Sequence, residues 1–204
     1  MDGFWKAAYS FGAVNHVPDL ESSNSTDENL CLSCGLCCNG VIFADVKLER
    51  GEDAARFQAF GLPIRCSGGR KPSTAGAKPG SASFPQPCAA LDGCRCRIYA
   101  DRPSYCRKFE CLLLKSVNAG RTEPAEARRI ILTAQGRADK VKRLLRALGD
   151  HAEGTALSIR FRQTARRMEK GGLPQETARL FGELTLAVHD LNLILGKEFY
   201  RSPS

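Results

Sequence analysis

The chain has 204 residues, 43% of them hydrophobic and 25% charged, with a formal net charge of +8. That is enough apolar chain to bury a core without help from disulfides or metal, so the ten cysteines need another explanation. No apolar run approaches the roughly 20 residues that span a bilayer, and Met1-Asp2-Gly3-Phe4-Trp5-Lys6 opens on an acid and lacks the unbroken apolar stretch of a secretory leader. A cytoplasmic protein is therefore expected, in a reducing compartment where closely spaced cysteines hold metal or do redox chemistry more often than they form disulfides.

In chain order, residues 1–30 read as a loosely docked, flexible lead-in, because Glu21-Ser22-Ser23-Asn24-Ser25-Thr26 is polar and aperiodic. A cysteine module follows from Cys31 to Cys111. Within it Val41-Ile42-Phe43 reads as a short strand. A helix is expected from about Gly51 to Phe60, with Ala55, Ala59 and Phe60 on one face and Gly61 ending it. Residues 67–87 interrupt the module; twelve of these 21 residues are Gly, Pro or Ser, the composition of a flexible loop.

From Pro103 onward the pattern is helical. Pro103 suits a first turn, and Cys111-Leu112-Leu113-Leu114 carries the helix on to a stop at Asn118-Ala119-Gly120. Thr122 is placed to cap the next helix, whose stripe reads Ile130, Ala134, Val141, Leu144 and Leu148 up to Gly149. A third helix is expected from about Thr155 to Lys170, stopping at Gly171-Gly172. A fourth runs from Pro174 to Gly196, with Phe181, Leu184, Val188, Leu191 and Leu195 at helical spacing. The fold class expected is mainly α: an irregular cysteine-rich metal-binding module with few short strands over 31–111, then a small C-terminal helical bundle over 112–204 packed on it.

Charge is uneven along the chain. Residues 107–170 hold sixteen Lys and Arg against seven Asp and Glu, a bias that suits a polyanion but is more often the solvated face of basic helices.

The cysteines carry the chemistry. Cys31-Leu32-Ser33-Cys34-Gly35-Leu36-Cys37-Cys38 sets thiols at spacings that bring sulphurs to one centre, with Asn39-Gly40 turning the chain away. The first three cysteines match the opening of a bacterial ferredoxin run. Cys38 then follows at once and Val41 stands where a fourth cysteine belongs, so this is not a simple ferredoxin. Adjacent side chains in extended backbone point to opposite sides, so Cys37 and Cys38 are expected to serve different ions or different corners of one cluster. A second group spans Cys88, Cys94, Cys96, Cys106 and Cys111, with Arg95, Arg97, Arg102 and Arg107 among them. These guanidinium groups would offset the negative charge of a thiolate centre. Closing the 49 residues between Cys38 and Cys88 costs about 3–4 kcal/mol, against about 10–16 kcal/mol for a structural thiolate zinc site. Metal can therefore join the two groups.

Taken together, Cys31-x2-Cys34-x2-Cys37-Cys38, Cys88 and Cys96-x-Ile98-Tyr99-x2-Arg102-Pro103-x2-Cys106-Arg107 resemble the YkgJ-type cysteine-cluster family, whose domain is described as zinc- or iron-chelating. The resemblance covers about residues 31–111. It implies Cys31, Cys34, Cys37, Cys38, Cys88, Cys96 and Cys106 as metal ligands, with Cys111 matching a further cysteine of some members. Arg102 and Arg107 are the expected contacts to the cofactor, either zinc or an iron–sulphur cluster. Cys66 and Cys94 have no assigned motif position; Cys66 reads as a buried apolar thiol.

The leading functional expectation is a metal-binding protein whose centre is structural or electron-carrying. One alternative is a redox or protein-modifying enzyme related to flagellin lysine N-methylases, which carry related cysteine clusters; no nucleotide fingerprint, HExxH or Ser/His/Asp arrangement supports it. Another is a nucleic-acid-binding zinc protein, against which the scarcity of aromatics in the basic helices weighs. An unidentified protein partner is compatible with all three. His16, His151 and His189 lie outside cysteine-rich surroundings and are not expected as ligands, and Tyr99 and Tyr105 are expected to pack beside the centre.

Overall fold

The computed structural model describes residues 26–66, 82–169 and 172–200. The first helix, α1 (Thr26–Cys34), begins inside the expected lead-in; residues 1–25 of that lead-in, residues 67–81, and Lys170 and Gly171 at the expected end of the third helix lie outside the described residues. Gly35, with φ of 64°, ends α1 in a conformation that only glycine adopts without strain. The chain then turns through Cys37 and Cys38, whose exit is fixed by Asn39 Oδ1 accepting the Val41 amide at 3.2 Å.

The expected strand at 41–43 is displaced along the chain. Residues 41–44 are irregular, and β1 (Asp45–Lys47) begins only where a partner strand lies alongside. That partner is β3 (Ala82–Pro85), the central strand of an antiparallel sheet whose other edge is β2 (Arg65–Cys66). Val46 pairs with Phe84, and both side chains are buried. The end of the expected 67–87 loop is therefore strand, held by a partner nearly 40 residues earlier in the chain. Helix α2 (Ala54–Ala59) is capped by Asp53 Oδ1, which accepts the Ala55 and Arg56 amides. It buries Phe57, while Ala55 and Ala59, expected to face inward, are exposed. Burying one aromatic ring outweighs burying two methyl groups.

A tight hairpin, β4 (Leu91–Asp92) and β5 (Arg95–Cys96), turns through Gly93-Cys94 and so sets Cys94 at its tip. The single helix expected after Pro103 is two. Helix α3 (Ser104–Lys108) ends at Phe109 in extended backbone, and α4 (Leu112–Asn118) restarts with Cys111 as its N-cap, the sulphur accepting the Leu114 amide at 3.4 Å. The next helix, α5 (Pro124–Ala147), has Glu123 at its N-cap position; Thr122, the expected cap, instead shares a 2.7 Å hydrogen bond with Ser116. Helices α6 (Leu157–Met168) and α7 (Gln175–Glu198) complete the chain.

Two hydrophobic cores result. The larger joins α4, α5 and α7 to Leu30, Leu36 and Val41. The smaller gathers Val46, Leu48, Phe57, Leu62, Phe84 and Ala90 around the sheet. Backbone hydrogen bonds cross between the cysteine-bearing segments: Cys88 N–H to the Cys38 carbonyl at 2.8 Å, Gln86 N–H to the Ala44 carbonyl at 3.0 Å, and Leu157 N–H to the Gly40 carbonyl at 2.9 Å. At Gly40, φ is 80° and a Cβ would stand 3.1 Å from Ala156 Cα and 3.3 Å from Pro87, so α6 and the 86–88 segment both rest on bare backbone there.

Candidate metal centre

A cavity of about 120 Å³ lies between the two cores. Nine of the ten cysteines line it: Cys31, Cys34, Cys37, Cys38, Cys88, Cys94, Cys96, Cys106 and Cys111. The other polar side chains on its wall are Gln86, Arg102 and the two phenols Tyr99 and Tyr105; among the described residues no Asp, Glu, His or Lys lines it. No disulfide joins any of the ten cysteines, all of which lie among the described residues, and the neighbours Cys37 and Cys38 are no exception.

The sequence builds this wall locally. One helical turn separates Cys31 from Cys34, which puts both sulphurs on one face of α1. The turn after Gly35 delivers Cys37 and Cys38. The hairpin tip approaches the end of α1 so closely that a Cβ on Gly35 would lie 3.3 Å from Cys94 Cα. From α5, Gln135 Nε2 donates to the Cys34 carbonyl at 2.8 Å and stands 3.8 Å from Cys94 Sγ. The aromatic edge of the wall is Phe43 set edge-on against Tyr105 and Phe109, with ring centroids 5.8 and 4.8 Å away.

The thiols sort into two adjoining groups. Cys34 feels Cys111, Cys31 and Cys94, and Cys37 feels Cys34, Cys38, Cys111 and Cys31. Cys38 feels chiefly Cys88, Cys106 and Cys96, and after them Cys31 of the first group. The first group, Cys31, Cys34, Cys37 and Cys111, lies beside the helical core, which Cys31, Cys34 and Cys111 touch. In the second group, Cys88 and Cys106 pack on the sheet core.

Burial pushes the Cys34 thiol from 9.0 up to about 12; the Leu36 amide opposes this and the neighbouring thiols add to it. Burial likewise raises Cys38 to about 12, reinforced by Cys88, Cys106 and Cys96. Cys106 also reaches about 12 through burial and then Cys88 and Cys96, with the positive charge of Arg102 opposing. Cys37, Cys88 and Cys111 are raised as well, each chiefly by burial. A three-unit rise is worth about 4 kcal/mol against the thiolate. At neutral pH these sulphurs keep their protons until a cation enters, and its binding must displace them.

The donor set fits a soft metal ion: it is all sulphur, buried, and flanked by a guanidinium whose Nε lacks a hydrogen-bond partner. Among the described residues, however, no three Cys, His, Asp or Glu side chains form a group set up to hold one metal ion. The sulphurs ring a space and do not meet at a point.

All eight cysteines expected as ligands thus line one cavity, and so does Arg102, whose guanidinium carbon lies 3.9 Å from the centroid of the Tyr99 ring. Arg107 is exposed and off the cavity wall; its charge reaches Glu52 instead. Cys66, expected to be a buried thiol, is exposed at the end of β2 and away from the cavity. His151 and His189 are exposed, and His16 lies outside the described residues. Sequence reasoning left Cys94 unassigned, although its Cys94-x-Cys96 spacing after Asp92-Gly93 is that of a two-residue hairpin tip. Gln86 and Gln135 gave no sequence signal, because nothing local marks a glutamine as buried.

No curated protein and no solved structure matches the chain significantly. A family model does match residues 30–126: the CxxCxxCC family, described as "Putative zinc- or iron-chelating domain". The match begins one residue before Cys31 and ends within the first turn of α5, so it takes in every cysteine of the cavity wall. Residues 30–126 thus match the model of the same cysteine-cluster family that the chain's motifs resemble.

Proposed function

We propose that this chain binds zinc or iron through two adjoining thiolate groups, one of Cys31, Cys34, Cys37 and Cys111 and the other of Cys38, Cys88, Cys96 and Cys106, with Cys94 at their rim. The observation that carries this reading is the cavity itself, with nine thiols and, among the described residues, no carboxylate or imidazole on its wall. Sulphurs spread around about 120 Å³ support a centre of more than one metal atom over an isolated ion. Because each group lies beside a different core, the bound metal ties the two cores together. An iron–sulphur centre would add electron transfer to this role, whereas zinc would act structurally.

Elemental and acid-labile sulphide analysis of chain purified without oxygen is the test. Iron with sulphide, and a brown protein, assigns an iron–sulphur centre; zinc in a colourless protein assigns a structural site. A folded chain with reduced thiols that takes up neither metal overturns the reading.

A further inference from the structure

Two polar atoms in the described structure are buried and have no hydrogen-bond partner, Gln86 Oε1 and Arg102 Nε. Both belong to side chains that line the thiol cavity, where the rest of the wall is sulphur, apolar or aromatic. Gln86 is 2% exposed, and its Oε1 is shut off from the outer solvent. The two residues also share a side of the cavity: Gln86 lies two residues before Cys88, and Arg102 four before Cys106, whose thiol feels the Arg102 charge. A buried polar group without a partner is costly, so such groups persist in a fold when something absent from the bare chain satisfies them.

Arg102 Nε–H can only donate, so what it lacks is an acceptor. The carboxamide of Gln86 presents N–H or C=O according to a half-turn of its terminal torsion, so it can accept from a protonated thiol and donate to a deprotonated one. Gln86 Oε1 as placed lacks a donor, which a protonated thiol supplies in the empty cavity; after the half-turn its N–H joins Arg102 Nε–H in finding a thiolate or inorganic sulphide as acceptor in the loaded one. We infer that Gln86 and Arg102 are positioning residues that donate hydrogen bonds to the sulphur of the centre on the Cys38, Cys88, Cys96 and Cys106 side, and so make that side tighter-binding and electronically distinct from the other. The inference rests on the metal-binding reading above. In the first group, Cys34 and Cys111 are supported by backbone amides, of Leu36 for the one and of Leu113 and Leu114 for the other.

The test uses the full-length chain with Gln86→Met, which keeps the shape and removes the amide. A second variant, Arg102→Lys, keeps the charge over Tyr99 and removes the Nε–H. Cobalt(II) is the probe, since its sulphur-to-metal charge-transfer bands report on the bound thiolates, and a competing chelator gives affinity. Each variant is expected to lose about 10–100-fold in affinity at one of the two groups, with a shift of the charge-transfer bands. The apo form of Gln86→Met should melt no lower than the apo parent. Unchanged affinity and spectrum in both folded variants overturns the inference, as does a loss of apo stability that matches the loss of affinity. Failure of the parent chain to take up cobalt, zinc or iron instead overturns the metal-binding reading, so the two failures are distinguishable.

Discussion

At the scale of single residues, the vicinal pair Cys37 and Cys38 organises the site, because Cys37 feels chiefly Cys34, Cys38 and Cys111 while Cys38 feels chiefly Cys88, Cys106 and Cys96, with Cys31 common to both. Cys38→Ser is therefore expected to lose about half of the bound metal, the share on its own side, by elemental analysis of chain purified without oxygen. Cys66→Ser should leave metal content unchanged, since that exposed thiol lies off the cavity. The same thiols fix the sign of the pH dependence. Cys34, Cys38 and Cys106 have folded-state values of about 12 against 9.0 for a free thiol. A raised value means that the folded apo chain holds protons that the unfolded chain gives up. Its stability is full below pH 9.0 and falls as pH rises toward 12. Metal affinity runs the other way, weakening as pH falls, because each bound thiolate must first lose a proton. Thermal melts of apo chain between neutral and alkaline pH, and chelator competition across the same range, check the two slopes separately.

At the scale of elements, the connection between α5 and α6 depends on one buried ion pair. Arg160 Nε donates to Asp150 Oδ2 at 2.8 Å, and Asp150 Oδ1 also accepts the Ala152 amide at 3.0 Å, with both side chains nearly inaccessible. Removing one partner strands a charge, so Asp150→Ala should cost about 3–5 kcal/mol in denaturant titrations, while pairing Asp150→Leu with Arg160→Met should recover much of the loss. Burial alone would raise the Asp150 carboxyl, but the Arg160 and Ala152 hydrogen bonds and the charges of Arg160 and Arg167 outweigh it and hold the carboxyl below 3.8. Its contribution is thus complete above that pH and disappears only in stronger acid. Elements also show what sequence can reveal. The existence of α5 and α7 is readable from apolar periodicity, and the inward edge of α5 in part: Ala134, Val141 and Leu148 of the expected stripe are buried, while Ile130 and Leu144 are half-buried at its side, since Ile130, Ile131 and Leu132 are equally apolar. The buried line is Ala127, Ile131, Ala134, Ala138, Val141 and Leu145. Of its three alanines the expected stripe includes Ala134 but not Ala127 and Ala138, because close approach between helices selects small residues that a search for large apolar ones passes over. Strand β3 was hidden for a different reason: Ala82–Pro85 has loop composition, and only its pairing with β1 and the burial of Phe84 make it a strand. The cysteine wall was largely legible because ligand spacing is local information, whereas Gln86 and Cys94 acquire their places through contacts distant in sequence.

At the scale of the whole molecule, the cavity lies on a seam, and that determines what metal removal should do. The helical core has its own apolar interior, formed by α4, α5 and α7 with Leu30, Leu36 and Val41 inserted into it. Among the described residues the sheet core has six buried residues, and its strands are two to four residues long. So small a cluster offsets little of the ordering entropy of residues 45–110. What holds that segment to the helices is a handful of backbone hydrogen bonds and the shared thiol wall. Stripping the metal should then loosen the molecule unevenly. Amides of Val46, Phe84 and the β4–β5 hairpin are expected to exchange with solvent much faster, while those of α5 and α7 keep most of their protection. The boundary should fall near Val41, because α1 and the turn after it are packed into the helical core and not into the sheet. Hydrogen exchange measured residue by residue on loaded and chelator-treated chain checks this. Uniform loosening of both halves would mean that the two cores fold as one unit, and equal protection with and without metal would mean that the thiol wall holds its shape unaided.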